Sequence, residues 1–540
     1  MMRFAVALTR LKSAFITMCK PQGERWRPKV GDMAAIFLLW LILIVGLSWD
    51  NYHLFTDSSY YLDSGRRFFE TGRLETGVNL FQFWNGPTRQ AATLYSPLLC
   101  LFVGGAWTLG HSLRFLAFIV TYIPFLILGI LFFHYAAARW SRLWAYGGVA
   151  AIYLLPCVQF TSGFAGWEPT GILATLGLLI LWKFSLDGKL SWAILLGLGI
   201  ALLSLWAIAV PLTVSLTLLL AAPFWGRAGW TALLRMGTVA LLALIAWQIL
   251  CFSVYGEFYP QWRTANKTSD LFAYYGAGSF APTEPVARIS AATWIRFHET
   301  LPSNIVHLAW SLVKVIAANV GFLPVFLLAG IPHLYRRRMA EPLPFMAFLL
   351  FLVWMMAIPI ALHWRPQVDM RFSLIPSLAL LLSTTSLLPQ LSNRIGHWSA
   401  FRRWTLLAVL GALIFLPWIQ SYRWIMEPKI YGLERLRESD RQFYCDLRAD
   451  LGKNDLVVME NHPRVSFHCA FFSPVVMLPF GQAQTPEYLR QFLTAYQPKR
   501  ILTTCYSSNA QFLAKALDSS WQALPVFGHP DLTVWHKKSS

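Results

Sequence analysis

The chain has 540 residues, of which 56% are hydrophobic and only 13% charged, a balance that excludes an ordinary soluble enzyme and marks a polytopic membrane protein. Its 25 Trp and 39 Phe agree, because aromatic side chains gather at bilayer interfaces and in intramembrane packing. The net charge of +19 comes from cations scattered between apolar runs, which argues for membrane topology and anionic lipid and against nucleic acid.

Residues 1–32 form a basic segment with Arg3, Arg10, Lys12, Lys20, Arg25, Arg27 and Lys29, and no small-residue cleavage site follows the first apolar run at 33–47. The segment is expected to stay in the cytoplasm, as an amphipathic helix on the inner leaflet or as a loose tail, and to send the next loop outside. That loop, a polar insert at 50–97, is too long for an idle connection.

Beyond it, 98–109 is short, half a helix or the mouth of the next span. Apolar runs follow at 113–136, 143–160 and 170–182, as a pair within 191–225 interrupted at Pro211, and at 233–254, 316–335, 343–362, 372–388 and 406–419. Together they give about eleven crossings at the roughly 20 residues a bilayer needs. A second polar insert at 255–303, rich in Tyr, Trp and Pro, suits short helices on the outer surface. Each short loop placed inside carries at least two Lys or Arg, the triplet Arg336, Arg337 and Arg338 among them. The membrane region is thus expected over 33–421.

From 422 to 540 the pattern becomes that of a soluble domain. Expected strands at 456–460, 475–478 and 500–504 alternate with helical stretches, and a hairpin at 521–535 ends the chain. Such alternation predicts a small α/β domain with a largely parallel sheet, here outside the membrane. It lacks a Gly-rich phosphate-binding turn, so acceptor docking or structural cover is expected of it instead of catalysis. Cys445, Cys469 and Cys505 fall in this domain, where one pair could oxidise, although three cysteines fix no connectivity. Cys100, Cys157 and Cys251 read as small apolar residues of the spans.

The first insert holds the candidate chemistry. In a helix starting near Asp57, Tyr60 and Tyr61 share the face of that carboxylate, while Asp63 faces Arg66 and Arg67. Asp63 therefore has cationic partners at helical spacing. Asp57 has none, which leaves its carboxylate for a substrate, though a helix cap is an equally ordinary role. Glu168, in Gly166-Trp167-Glu168-Pro169, precedes a span from the outer face, as a second acid or as the start of a Pro-led helix. Arg371 and Arg365 sit near the outer boundary, where a guanidinium can meet phosphate oxygens bidentately or snorkel to headgroups. Arg263 and Lys267 in the second insert are weaker anion-binding candidates, and His298 and His363 read as interfacial. No Cys or His spacing marks a metal. No cofactor is certain, and a divalent cation stays open.

Thr56-Asp57-Ser58-Ser59-Tyr60-Tyr61, then Phe68-Phe69-Glu70-Thr71-Gly72 and Tyr95-Ser96-Pro97-Leu98, resemble the first external loop of the GT-C membrane glycosyltransferases. Within that superfamily the layout is most similar to the bacterial relatives of protein O-mannosyltransferases and of the lipid A aminoarabinose transferase. Arg371-Phe372-Ser373-Leu374-Ile375-Pro376 resembles the Arg-aromatic-x-Leu-x-Pro stretch of a late span in these enzymes. The resemblance implies a hexosyl- or pentosyltransferase of a bacterial inner membrane, which takes a sugar from a polyprenyl-phosphate carrier, usually with inversion. The acceptor would be a lipid, a glycan or a protein on the extracytoplasmic side. It implies Asp57 as the base, Glu168 as a helper acid, and Tyr60, Tyr61, Arg371 and Arg365 at the donor. Ser58 stands where many members carry Glu, which leaves metal use and the subfamily open. An envelope-glycan polymerase or ligase would share these loops but move a preassembled glycan. A lipid or glycan transporter would place charges at the midplane and show repeats, and no duplicated half is visible.

Overall fold

In lipid every backbone N–H and C=O must be satisfied within the chain, so long apolar runs become helices. A computed structural model describes residues 29–49, 56–76, 78–79, 89–90, 96–139, 141–163, 166–207, 209–256, 291–321, 323–361, 370–385 and 387. It also describes scattered residues between 399 and 422 and parts of 455–537, chiefly 455–459, 475–477, 497–504, 513–526 and 529–537. The basic segment at 1–28, Arg263, Lys267, Arg365, Cys445, Cys469, Cys505 and most of the expected last crossing at 406–419 lie outside the described residues.

The first run forms α1 (Val30–Trp40), which continues as a π-helical segment at Leu41–Gly46. A second π segment, Phe118–Tyr122, joins α4 (Leu113–Ala117) to α5 (Ile123–Arg139). Such wide turns displace carbonyls from the regular ladder, and side chains serve them here. The indole N–H of Trp40 donates to the Tyr122 carbonyl at 2.8 Å, and the Gln159 amide donates to the Leu43 carbonyl at 2.7 Å.

Between these lie α2 (Thr56–Thr71) in the first insert and α3 (Pro97–Gly110), the short apolar piece after it. They cross with backbones in contact. A Cβ at Gly65 would collide with Cys100 and Gly104, and one at Gly104 would collide with Gly65.

Three expected spans are cut differently. The run at 143–160 becomes α6 (Arg142–Tyr153) and α7 (Pro156–Ser162), bent by 57°. Pro156 has no N–H with which to continue the first helix. The pair within 191–225 exists, as α9 (Leu190–Ser204) and α10 (Ala209–Ala221), after α8 (Glu168–Ser185). Its break precedes Pro211, which lies in the first turn of α10, where the missing N–H would be unpaired anyway. The run at 316–335 is divided between α12 (Ala291–Val320) and α13 (Leu323–Arg337), after the long α11 (Gly226–Tyr255). Gly321 at the division has φ +56°, a left-handed helix end that favours glycine. Then come α14 (Pro342–Ala361), a 3₁₀ turn at Met370–Ser373, and α15 (Leu374–Thr384).

Among the described residues four helical stretches are long and apolar enough to cross a membrane, Leu113–Arg139, Ala209–Val254, Glu299–Val320 and Pro342–Ile360, or five with the bent pair as one span. Shorter apolar stretches include Val30–Gly46, Leu190–Ser204 and Met370–Thr384.

At the end of the bundle where α1 and α6 begin, buried Asp32 accepts from Arg142 Nε at 2.9 Å, from the Tyr146 hydroxyl at 2.5 Å and from the Lys29 backbone N–H at 2.8 Å. That triad fixes two helix starts side by side.

Among the described residues the tail carries a six-stranded mixed sheet, one edge strand of which comes from the first insert. β4 (Val457–Met459) lies parallel to β5 (Val475–Met477) and to β6 (Arg500–Thr504). β8 (His529–Lys537) runs antiparallel to β6 and to β7 (Trp521–Val526), which completes the expected hairpin. Val458, Ile501 and Leu513 form its small core beside Trp521 and Trp535. The edge strand β2 (Val78–Asn79) comes from the first insert and pairs parallel with β5. Nearby, β1 (Glu75–Thr76) pairs antiparallel with β3 (Arg89–Gln90).

Candidate functional site

Glu168 opens α8, with Pro169 in the first turn and Trp167 before it. A carboxylate there faces the positive end of the helix dipole. The Trp167 ring lies against Gly171, where a Cβ would press on it at 2.8 Å, and the Trp206 indole donates to the Thr170 hydroxyl at 3.0 Å. These contacts hold the helix start in a packed setting, and Glu168 is only 1% exposed.

Arg371 comes from the other side of the sequence, on the 3₁₀ turn Met370–Ser373 that leads into α15. Its side chain is 10% exposed, and its Nη1 lies 3.8 Å from Glu168 Oε1. Its guanidinium also lies 5.0 Å from the centre of the Phe372 ring. The contact with Glu168 is longer than the 2.7–3.2 Å of an N–H···O hydrogen bond, so it is an ion pair of loose geometry. The fold thus brings together two of the sequence-predicted site residues.

A polar network holds the turn. The Ser373 hydroxyl donates to the Met370 carbonyl at 2.6 Å, and the Trp354 indole donates to the Phe372 carbonyl at 2.8 Å. Asn319, buried on α12, donates to the Ser373 hydroxyl at 2.9 Å and to the Val315 carbonyl at 2.7 Å. Its Oδ1 accepts from the Cys157 backbone N–H at 2.6 Å, and its carbonyl accepts from the Trp418 indole at 2.5 Å. One side chain therefore ties α7, α12 and the Arg371 turn together. Sequence reasoning missed Asn319; its only signal was a lone amide in an apolar helical run, the kind of intramembrane polar residue that rarely stands idle.

Asp57 is the second residue of α2, and its side chain lies outside what the structure describes. The neighbouring Asp63 pairs as its spacing implied, with Arg66 Nη2 and Arg67 Nε each at 3.1 Å. Tyr60 and Tyr61, expected on a substrate-facing surface, are 4% and 1% exposed and pack edge to face at 5.9 Å. The close crossing at Gly65 and Gly104 turns that part of α2 into the apolar core, which is why these rings are buried. Among the described residues no three His, Cys, Asp or Glu side chains gather to hold a metal ion.

No protein family profile matches the chain, and no curated sequence does so. Solved structures do. ArnT from Cupriavidus metallidurans bound to undecaprenyl phosphate aligns over 95% of this chain and 98% of its own, with TM-score 0.50 and 14% identity. The archaeal oligosaccharyltransferase AglB from Archaeoglobus fulgidus, in complex with an inhibitory peptide and a dolichol-phosphate, aligns over 90% of this chain and 70% of its own, with TM-score 0.53 and 12% identity. The fold is similar to those of ArnT and AglB. Along the chain the match to ArnT includes the membrane helices and the tail alike, since nearly the whole of both chains is aligned.

Proposed function

We propose that the chain is an integral-membrane glycosyltransferase, which moves one sugar from a polyprenyl-phosphate-linked donor to a lipid, glycan or protein acceptor, with inversion, on the extracytoplasmic side. The observation that carries this reading is the meeting of Glu168 with Arg371 at the starts of α8 and α15, inside a fold shared with ArnT and AglB. In this reading the Arg371 guanidinium holds the donor phosphate, and its separation from Glu168 lets phosphate oxygens enter without breaking a short bidentate pair. The acceptor oxygen attacks the anomeric carbon as the carbon–oxygen bond to phosphate breaks. Its proton passes to the Asp57 carboxylate, and the negative charge leaves on the carrier phosphate, against Arg371. Glu168 orients the guanidinium and accepts from substrate hydroxyls, and Arg365 is a second cation for the same phosphate. Tyr60 and Tyr61 anchor the helix that carries Asp57.

The N-terminal segment is then cytoplasmic, the membrane domain spans 33–421, and the 422–540 domain is periplasmic and covers the site. The test compares, by mass spectrometry of envelope lipids and glycans, cells lacking the protein with cells carrying wild type, Asp57→Asn or Arg371→Gln. A single-sugar mass lost on deletion and restored only by wild type is the expected result. Full restoration by both variants at wild-type protein levels would remove these residues from the mechanism, and an unchanged glycan profile on deletion would remove the transferase itself.

A further inference from the structure

A cavity of about 450 Å³ lies between α5, α8, α14 and α15, within the roughly 300–1,000 Å³ of small-ligand sites. Its walls are mainly apolar, with Leu176, Leu179 and Leu350 facing Ala379 and Leu382. Along α8 it runs from Ile172 to Phe184, a depth of about 18 Å at the helical rise of 1.5 Å per residue. That is roughly half of the ~30 Å hydrocarbon core, the depth of one leaflet.

The charged lining is concentrated at one end, with Thr175 the polar residue nearest the other. Arg139 closes α5, Lys183 lies in the last turn of α8, and Glu341 stands just before α14. Glu341 is paired through Oε1 with Arg337 at 2.8 Å while its Oε2 is buried without a hydrogen bond, and Arg139 lies over the Tyr135 ring at 3.7 Å and donates to the Tyr135 carbonyl at 3.3 Å, so two cations stand there against one carboxylate that is itself ion-paired. The end is therefore cationic. At the opposite end the walls are Ile172 and Ile375, each one helical turn inside Glu168 and Arg371, and neither of those charged residues lines the cavity. An amphiphile lodged there can place an anionic headgroup only at the Arg139 and Lys183 end.

We propose that this cavity is a binding site for an anionic phospholipid of the leaflet at the Arg139 and Lys183 end, with one acyl chain between α8 and α15 and the phosphodiester at those two cations. The occupant is distinct from the sugar donor, whose phosphate the preceding section places at Arg371, and the site stands on its own geometry whether or not that assignment holds. Such a lipid fills a void that would otherwise cost the bundle packing contacts. Its preference for an anionic headgroup comes from Arg139 and Lys183 at the mouth of the cavity.

The test uses the full chain in detergent, with bound lipid counted by native mass spectrometry after addition of phosphatidylglycerol or phosphatidylcholine. Wild type is expected to retain one phosphatidylglycerol in at least tenfold preference to phosphatidylcholine. The double variant Arg139→Gln, Lys183→Gln is expected to lose that preference, and Arg227→Gln, at a cation outside the cavity, to keep it. Ala379→Phe, which fills the chain site, is expected to reduce retention of both lipids while gel filtration shows a folded protein. Equal retention of the two lipids, unchanged retention by the double variant, or stoichiometric displacement by polyprenyl phosphate would each overturn the proposal, the last by assigning the cavity to the donor.

Discussion

Arg371 and Glu168 show how the character of a site depends on single side chains. Lysine at 371 keeps the charge but loses the planar fork that meets phosphate oxygens in pairs. Arg371→Lys is therefore expected to lower transfer by about 10²-fold, the scale on which small misplacements act, measured with a radiolabelled carrier-linked sugar in membranes. Activity within a few-fold of wild type would show that only charge matters there. Asn319 works one step further back. Asn319→Ala leaves the buried Cys157 N–H without its acceptor and frees the Ser373 turn, which predicts a loss of about 1–3 kcal/mol in thermal unfolding together with a raised donor KM. A lowered melting temperature with unchanged KM would make Asn319 purely structural. Glu168 and Arg371 were legible in the sequence as charged residues near expected span boundaries, Arg371 through the late-span stretch that its surroundings resemble. Their proximity was not, since nothing local records which helix starts adjoin.

At the scale of elements, periodicity and run length located the apolar helices, whereas their interruptions depended on backbone details such as the left-handed Gly321 and the N–H missing at Pro156. The crossing of α2 with α3 was hidden for a similar reason, because a glycine's value lies in what approaches it. Gly104→Val is expected to push the two helices apart, with a cost of about 1–3 kcal/mol or more for overpacking, and to lower the melting temperature in detergent. Gly147→Val, at an exposed helical position where an added Cβ meets nothing within 4 Å, is the matched control that should not lower it. Equal melting of both variants would mean that the close crossing does not hold the first insert. The mixed sheet was legible in its strands β4 to β8, yet its edge strand β2 was not, since a pair of residues in a polar insert carries no strand pattern.

For the whole molecule, the helix ends sort into two sets. Asp32, Arg139, Arg142 and Lys183 mark one end, Glu168 and Arg371 the other, and the basic residues of the first set predict which faces the cytoplasm. In a chain stripped of its native cysteines, Asp187→Cys, in the exposed turn after α8, should react with a membrane-impermeant maleimide only after the cells are opened. Asp518→Cys, exposed in the tail, should react in intact spheroplasts. The reverse pattern would invert the topology and remove the proposed extracytoplasmic chemistry.

The pairing of β2 with β5 also sets a clock. About 400 residues separate Val78 from Val475, and at about 5–20 residues per second a ribosome takes roughly 20–80 seconds to deliver the second after the first. Throughout that interval the insert bearing Asp57 has emerged without its sheet partner, so a nascent chain, or one truncated before Val475, carries that insert on an incomplete scaffold. The sheet edge at β2 closes only after β5 has been made, late in synthesis.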